Sequence, residues 1–151
     1  MDEVSCRLRV TSNDPETARV SVRRHQFTVG RPLSVDVEYG HLTALEYALG
    51  ALAAELVTGL REFAKRRRLE LDEIEAVVNG GLDNPLVYFE VVGETGVVGL
   101  SPITIKVYVA SRHDDDTIRQ LWNHTLERLP LARTFTSTAS VQFTLEPTTS
   151  T

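Results

Sequence analysis

LEYALGALAAELVTGL, Leu45 to Leu60, is the longest apolar stretch of the chain. Leu45, Leu49, Leu52, Leu56 and Leu60, continued by Phe63, recur at steps of three and four, which lays them along one face of an α-helix. Gly50, Ala51, Ala54 and Thr58 fall on the opposite side and are small enough to admit a second element at close range, so both faces are expected to pack. Glu46 and Glu55 are the only charged residues of the stretch, and Glu55 lies on the flank between the two faces. A buried carboxylate without a partner is costly, so something must compensate it. Glu55 is therefore the first residue to consider for a site.

Working outward, the helix is expected to begin near Leu42, with Thr43 as its N-cap, and to end near Arg68, where Lys65–Arg68 suit the negative end of the helix dipole. Before it, Val4–Val10 and Ala18–Val22 alternate apolar and polar residues around the turn-forming SNDPET, which predicts an N-terminal hairpin. A further strand is expected over His25–Val29. After the helix, Ile74–Val78, Val87–Val92 and Ile103–Val109 read as strands. Asp114–Asp116 can cap a second, shorter helix reaching about Arg128, with Ile118, Leu121, Trp122 and Leu126 inward and Pro130 closing it. Phe135–Leu145 is expected as the last strand, and PTTST as a frayed tail. The organisation is strands, a long helix, strands, a shorter helix and strands, with no clear boundary within 1–151, so a single domain is expected.

Composition sets the outer frame. The 151 residues are 42% hydrophobic and 25% charged, ordinary for a soluble globular protein. A net charge of −5 disfavours a general nucleic-acid binder, which needs clustered cations for phosphate. The apolar stretch of about 16 residues is shorter than the roughly 20 needed to span a bilayer, and the charged start MDEVSCRLRV is not a signal sequence. A single cysteine, Cys6, allows neither a zinc site nor a disulfide framework and fits a reducing compartment. The expectation is a cytoplasmic protein with no nucleic acid, membrane, metal or cofactor among its partners. His25, His41 and His113 are scattered without metal-ligand spacing.

Four segments together carry a family resemblance. Phe27, Val29, Gly30 and Pro32 form F-x-V-G-x-P, which leads into A-L-E-Y-A-L-G-A-L-A-A-E and then F-A-K-R-R at Phe63–Arg67. Near the other end, Arg128–Phe135 reads R-L-P-L-A-R-T-F. This resembles the OsmC/Ohr family of osmotically inducible proteins and organic hydroperoxide reductases, whose long helix reads P-x-E-x-L-L-A-A-L-A-A-C and whose second cysteine segment reads C-P-V-x-R-T-L. The resemblance implies an α+β, OsmC-like fold, a long central helix and a second shorter helix packed with antiparallel β-sheets, in an intertwined homodimer with the long helices central, the sheets outside and pockets at the subunit interface. It also implies two departures: Glu55 stands in place of the peroxide-attacking cysteine and Leu129 in place of the resolving one. Glu46 matches the branch of the family that writes its motif P-L-E. Arg31 is the nearest candidate for the family arginine, with Arg23 and Arg24 as alternatives.

Peroxide reduction of that type needs a thiolate to attack the O–O bond and a second thiol to form the disulfide. The expected function is thus an OsmC-like protein that has lost thiol peroxidase activity and holds a small, partly apolar ligand in the interfacial pocket, near Glu55, Leu129, Trp122 and Arg31. Two alternatives stay open. One is acid–base chemistry by Glu55, with Glu46 or His124 as further catalytic candidates. The other is peroxide reduction through Cys6 with an external thiol. Each residue also has a structural reading: Cys6 as an inert strand residue, Trp122 as core, His124 as packing, and Glu55 as half of an ion pair with Arg61 or another cation, or as part of a wet dimer interface.

Overall fold

A computed structural model describes residues 1–150. The chain divides into two compact units, Met1–Ala48 and the remainder from Leu49 onward. In the first unit, β1 (Arg9–Thr11), β2 (Ala18–Val22) and β3 (His25–Val29) form an antiparallel sheet in chain order. The expected first strand is cut to its last residues. β1 pairs Arg9 with Ser21 and Thr11 with Arg19, and β2 turns away after Val22, so Val4–Leu8 have no backbone partner and form no strand. Thr43 and Glu46 then build a reciprocal cap: the Thr43 amide donates to Glu46 Oε1 at 2.9 Å, and the Glu46 amide donates to Thr43 Oγ1 at 3.1 Å. This starts the long helix α1, Ala44–Arg66.

α1 buries Leu49, Leu52, Ala53, Leu56, Gly59, Leu60 and Ala64, the stripe that its periodicity predicts. Leu52, Leu56 and Leu60 are completely buried, each worth roughly 1.5–3 kcal/mol of apolar burial. Gly50, Ala51, Ala54 and Thr58 line the exposed side. In the second unit, β4 (Leu71–Asn79), β5 (Ile103–Ser111) and β6 (Val141–Thr149) form the other sheet with β5 in the middle. β4–β5 is antiparallel and β5–β6 parallel, so this sheet is mixed rather than wholly antiparallel. Ile103, Ile105, Val107 and Val109 point to the core while Thr104, Lys106 and Tyr108 face outward, the strict alternation of a half-buried strand. At the end of β4 the backbone comes close to α1 and β5: a Cβ on Gly80 would lie 3.1 Å from Leu49 and 3.3 Å from Ile103.

Two predicted strands are interrupted at their starts by short helices. Asn84 in a left-handed conformation and Pro85 in the first turn start the short helix α2, Pro85–Tyr88, and Glu90 at φ 58° ends any extended path through Val87–Val92. The shorter helix α3, Asp115–Leu126, is where the sequence places it, capped by the Asp114 carboxylate on the Thr117 amide at 2.8 Å. Pro130 does not merely close α3: it opens a further helix, α4, Pro130–Thr138. The last strand accordingly starts at Val141, not Phe135, and β6 continues through Pro147–Thr149, so most of the expected frayed tail is paired with Val109–Ser111. Thr151 lies outside the described residues. Among the described residues, no helix is long and apolar enough to cross a membrane.

Candidate functional site

The compensation required for Glu55 comes from a helix end. α4 begins with an N-cap, Leu129, that has no side-chain oxygen, and with Pro130, which has no N–H. The next two amides would be left open. Glu55 closes both, its Oε2 accepting from the Leu131 amide at 2.8 Å and its Oε1 from the Ala132 amide at 3.0 Å. A carboxylate with one oxygen on each first-turn amide is the charge-assisted arrangement favoured at the positive end of a helix dipole. The expected cation is not the partner: Arg61 donates to the backbone carbonyls of Leu71 and Asp72.

Leu129 meets α1 one turn further along. It is 6% exposed, and its Cδ2 would lie 2.7 Å from a Cβ built on Gly59, with Thr125 Cγ2 at 3.4 Å. Only a glycine lets Leu129 seat this closely. Glu55 and Leu129, the two positions singled out by the missing cysteines, are therefore neighbours at one junction of α1 with the start of α4.

The other candidates are engaged elsewhere. Glu46 is consumed by its capping box, where the Thr43 amide and then its hydroxyl hold the carboxyl below its ordinary range. His124, half-buried on α3, sets its ring edge-on to Phe63 at 5.3 Å, and its carbonyl accepts from Arg128. Burial, followed by Arg128 and Arg67, pushes its pKa down. Phe63 is eight residues beyond Glu55 on α1, roughly 12 Å along the axis, so His124 and Glu55 form no acid–base couple. Trp122 is 6% exposed in the core. Arg31 is exposed, lies 4.5 Å over the Tyr39 ring and pairs with Glu16 at 3.8 Å. Arg23 and Arg24 are exposed at the β2–β3 turn, Arg23 with φ 51°. Cys6 is exposed ahead of β1. Among the described residues, no three His, Cys, Asp or Glu side chains gather as metal ligands would. The sequence did not point to one further feature, a cleft of about 320 Å³ in the first unit, bordered by Leu33, Val35, Val37, Tyr39, Leu42 and Glu46. Its signal was available: Val35, Val37 and Leu42 stand in a loop with no helical or strand period to bury them.

The sequence profile described as OsmC-like protein matches residues 37–146, which include both helices that meet at Glu55. The chain belongs to the OsmC-like family. No curated protein sequence matches it. Solved structures reproduce the fold across the whole chain. An OsmC-like protein from Mycoplasma pneumoniae is 16% identical, with a TM-score of 0.77 and all of both chains covered. A hypothetical protein from Aquifex aeolicus is 12% identical with a TM-score of 0.76, over 99% of this chain and 100% of that one. An organic hydroperoxide resistance protein from Elizabethkingia anophelis is 12% identical with a TM-score of 0.72, over 98% and 100%. These likenesses establish an OsmC-like fold.

Proposed function

We propose that this OsmC-like protein has given up thiol-based peroxide reduction and works as a homodimer that holds a small, partly apolar ligand in a pocket at the subunit interface. The observation that carries the reading is the state of Glu55. It occupies the position that the family resemblance gives to the attacking cysteine, and both its oxygens are used to hold α4. The only cysteine, Cys6, is remote in sequence from both motif positions. Support for a partner subunit comes from the exposed small-residue side of α1, Gly50, Ala51, Ala54 and Thr58, where a second helix can approach closely. Support for an apolar ligand comes from Val35, Val37 and Leu42, exposed at 78, 96 and 55% around the first-unit cleft.

Ligand-observed NMR with a panel of apolar alcohols and short carboxylic acids, such as cumyl alcohol and octanoate, tests the binding half. Saturable binding that weakens by about tenfold or more in Val37→Asp is expected. No binding across the panel, or binding indifferent to Val37→Asp, contradicts it. Sedimentation should give a dimer that Gly50→Leu dissociates; a wild-type monomer contradicts the assembly. The exposure of Cys6 favours one competing reading, in which its thiolate attacks the O–O bond, the alcohol leaves, and two equivalents of an external thiol reduce the sulfenic acid with release of water. That reading requires Cys6→Ser to abolish peroxide consumption.

A further inference from the structure

We propose that α4 is a strap that opens as a unit from α1, and that Glu55 sets how often it does so. The inference goes beyond ligand binding and stands without it.

α4 has little to hold it in place by itself. Nine residues are fewer than the roughly 12–15 at which an isolated helix becomes even marginally stable in water. Its second half, Thr134–Thr138, is made of poor helix formers. Three of their hydroxyls turn back on the helix's own carbonyls: Thr136 to Ala132 at 2.8 Å, Ser137 to Thr134 at 2.7 Å, and Thr138 to Thr134 at 3.1 Å. Such bonds compete with the helical ladder. Burial adds little, since Ala132 is the only buried residue of α4, and Leu131 is 38% exposed. An element with so few apolar contacts belongs to the low-stability end of a fold.

What keeps it closed lies at its first turn. Leu129 is seated in the notch made by Gly59, and the Glu55 carboxylate ties the Leu131 and Ala132 amides. At the far end, the Ser140 carbonyl accepts from the Ile103 amide at 2.8 Å, where the β5–β6 ladder begins. The segment is thus pinned at both ends with a weak helix between. Releasing the Glu55 tie frees the first turn while the ladder beyond Ser140 stays paired. Opening bares the Glu55 carboxylate.

Native-state hydrogen exchange followed by mass spectrometry tests the proposal. In wild type, peptides covering 130–138 should exchange faster than those covering Ile103–Ser111. Glu55→Gln keeps the shape but loses the charge and one acceptor oxygen, and should speed strap exchange by roughly tenfold or more while leaving Ile103–Ser111 unchanged. A second variant works in the opposite direction: Thr134→Ala with Ser137→Ala, both exposed, should slow strap exchange alone. Strap exchange unaltered in both variants, or accelerating in step with Ile103–Ser111 in Glu55→Gln, overturns the proposal.

Discussion

The N-termini of α1 and α4 face the same difficulty and meet it by different routes. Each begins with amides that have no partner inside the helix, and at each a glutamate carboxylate takes such a proton, from the N-cap amide of Thr43 at α1 and from the Leu131 and Ala132 amides at α4. At α1 the glutamate is local: Glu46 lies three residues from Thr43, and the two cap each other. At α4 nothing local will serve, because Leu129 has no oxygen and Pro130 no N–H, and the glutamate comes from 76 residues away. A local cap closes a helix wherever that helix goes, whereas a distant one also fixes where the helix sits. Glu55 therefore does for the tertiary arrangement what Glu46 does for one helix end.

Substitution at the apolar half of the α4 tie should cost most. Leu129→Ala empties the seat at Gly59 and should cost about 2–5 kcal/mol in urea unfolding, the range for a buried leucine. A loss under 1 kcal/mol would show that Leu129 is not an anchor. Glu55→Leu leaves two first-turn amides open and should cost about 2 kcal/mol; a gain in stability would mean that the carboxylate is strained and not compensated. Thr43→Ala removes the hydroxyl of the local cap and should cost about 1 kcal/mol. If Thr43→Ala proves more damaging than Glu55→Leu, the distant tie is the lesser of the two and the comparison inverts.

The smallest effect is the response to acid. His124 titrates below its ordinary 6.5 in the folded chain, so its contribution is fully present above 6.5 and is lost as pH falls through the lower folded value. Glu46 and Asp114 are likewise depressed below their ordinary 4.5 and 3.8, held down by Thr43 and Thr117 respectively. Their contributions are present above those values and disappear at still lower pH. Melting temperature should thus fall in two shallow steps on acidification from pH 7, and His124→Asn should remove the upper one. A wild-type profile that rises below pH 6 would contradict the sign of the His124 shift.

The contrast between local and distant also explains how far the sequence could be read. Thr43 with Glu46 and Asp114 with Thr117 are caps made within one turn, and both helices begin where those residues predict. The strands Ala18–Val22 and His25–Val29 carry enough period and turn chemistry to be placed to the residue. Phe135–Leu145 misleads because Thr134–Thr138 favour a strand, while the α4 helix they join is fixed by Glu55 and by Leu129 at Gly59. Val87–Val92 misleads for a local reason, the left-handed turns at Asn84 and Glu90 that its valines and aromatics conceal. At the site, the sequence indicated that Glu55 needs a partner, and the family resemblance linked positions 55 and 129 as the two cysteine sites. It could not show that the partner is a pair of backbone amides, since amides carry no side-chain signature.

Replacement of both motif cysteines by Glu55 and Leu129 should leave the protein without thiol chemistry. Consumption of cumene hydroperoxide by the purified protein with excess dithiothreitol, for wild type beside Cys6→Ser, tests it directly. Both proteins should consume peroxide only at the rate of the reductant alone. Turnover by wild type that vanishes in Cys6→Ser would mean that peroxide reduction has moved to Cys6, and would contradict the loss of thiol chemistry inferred from Glu55 and Leu129.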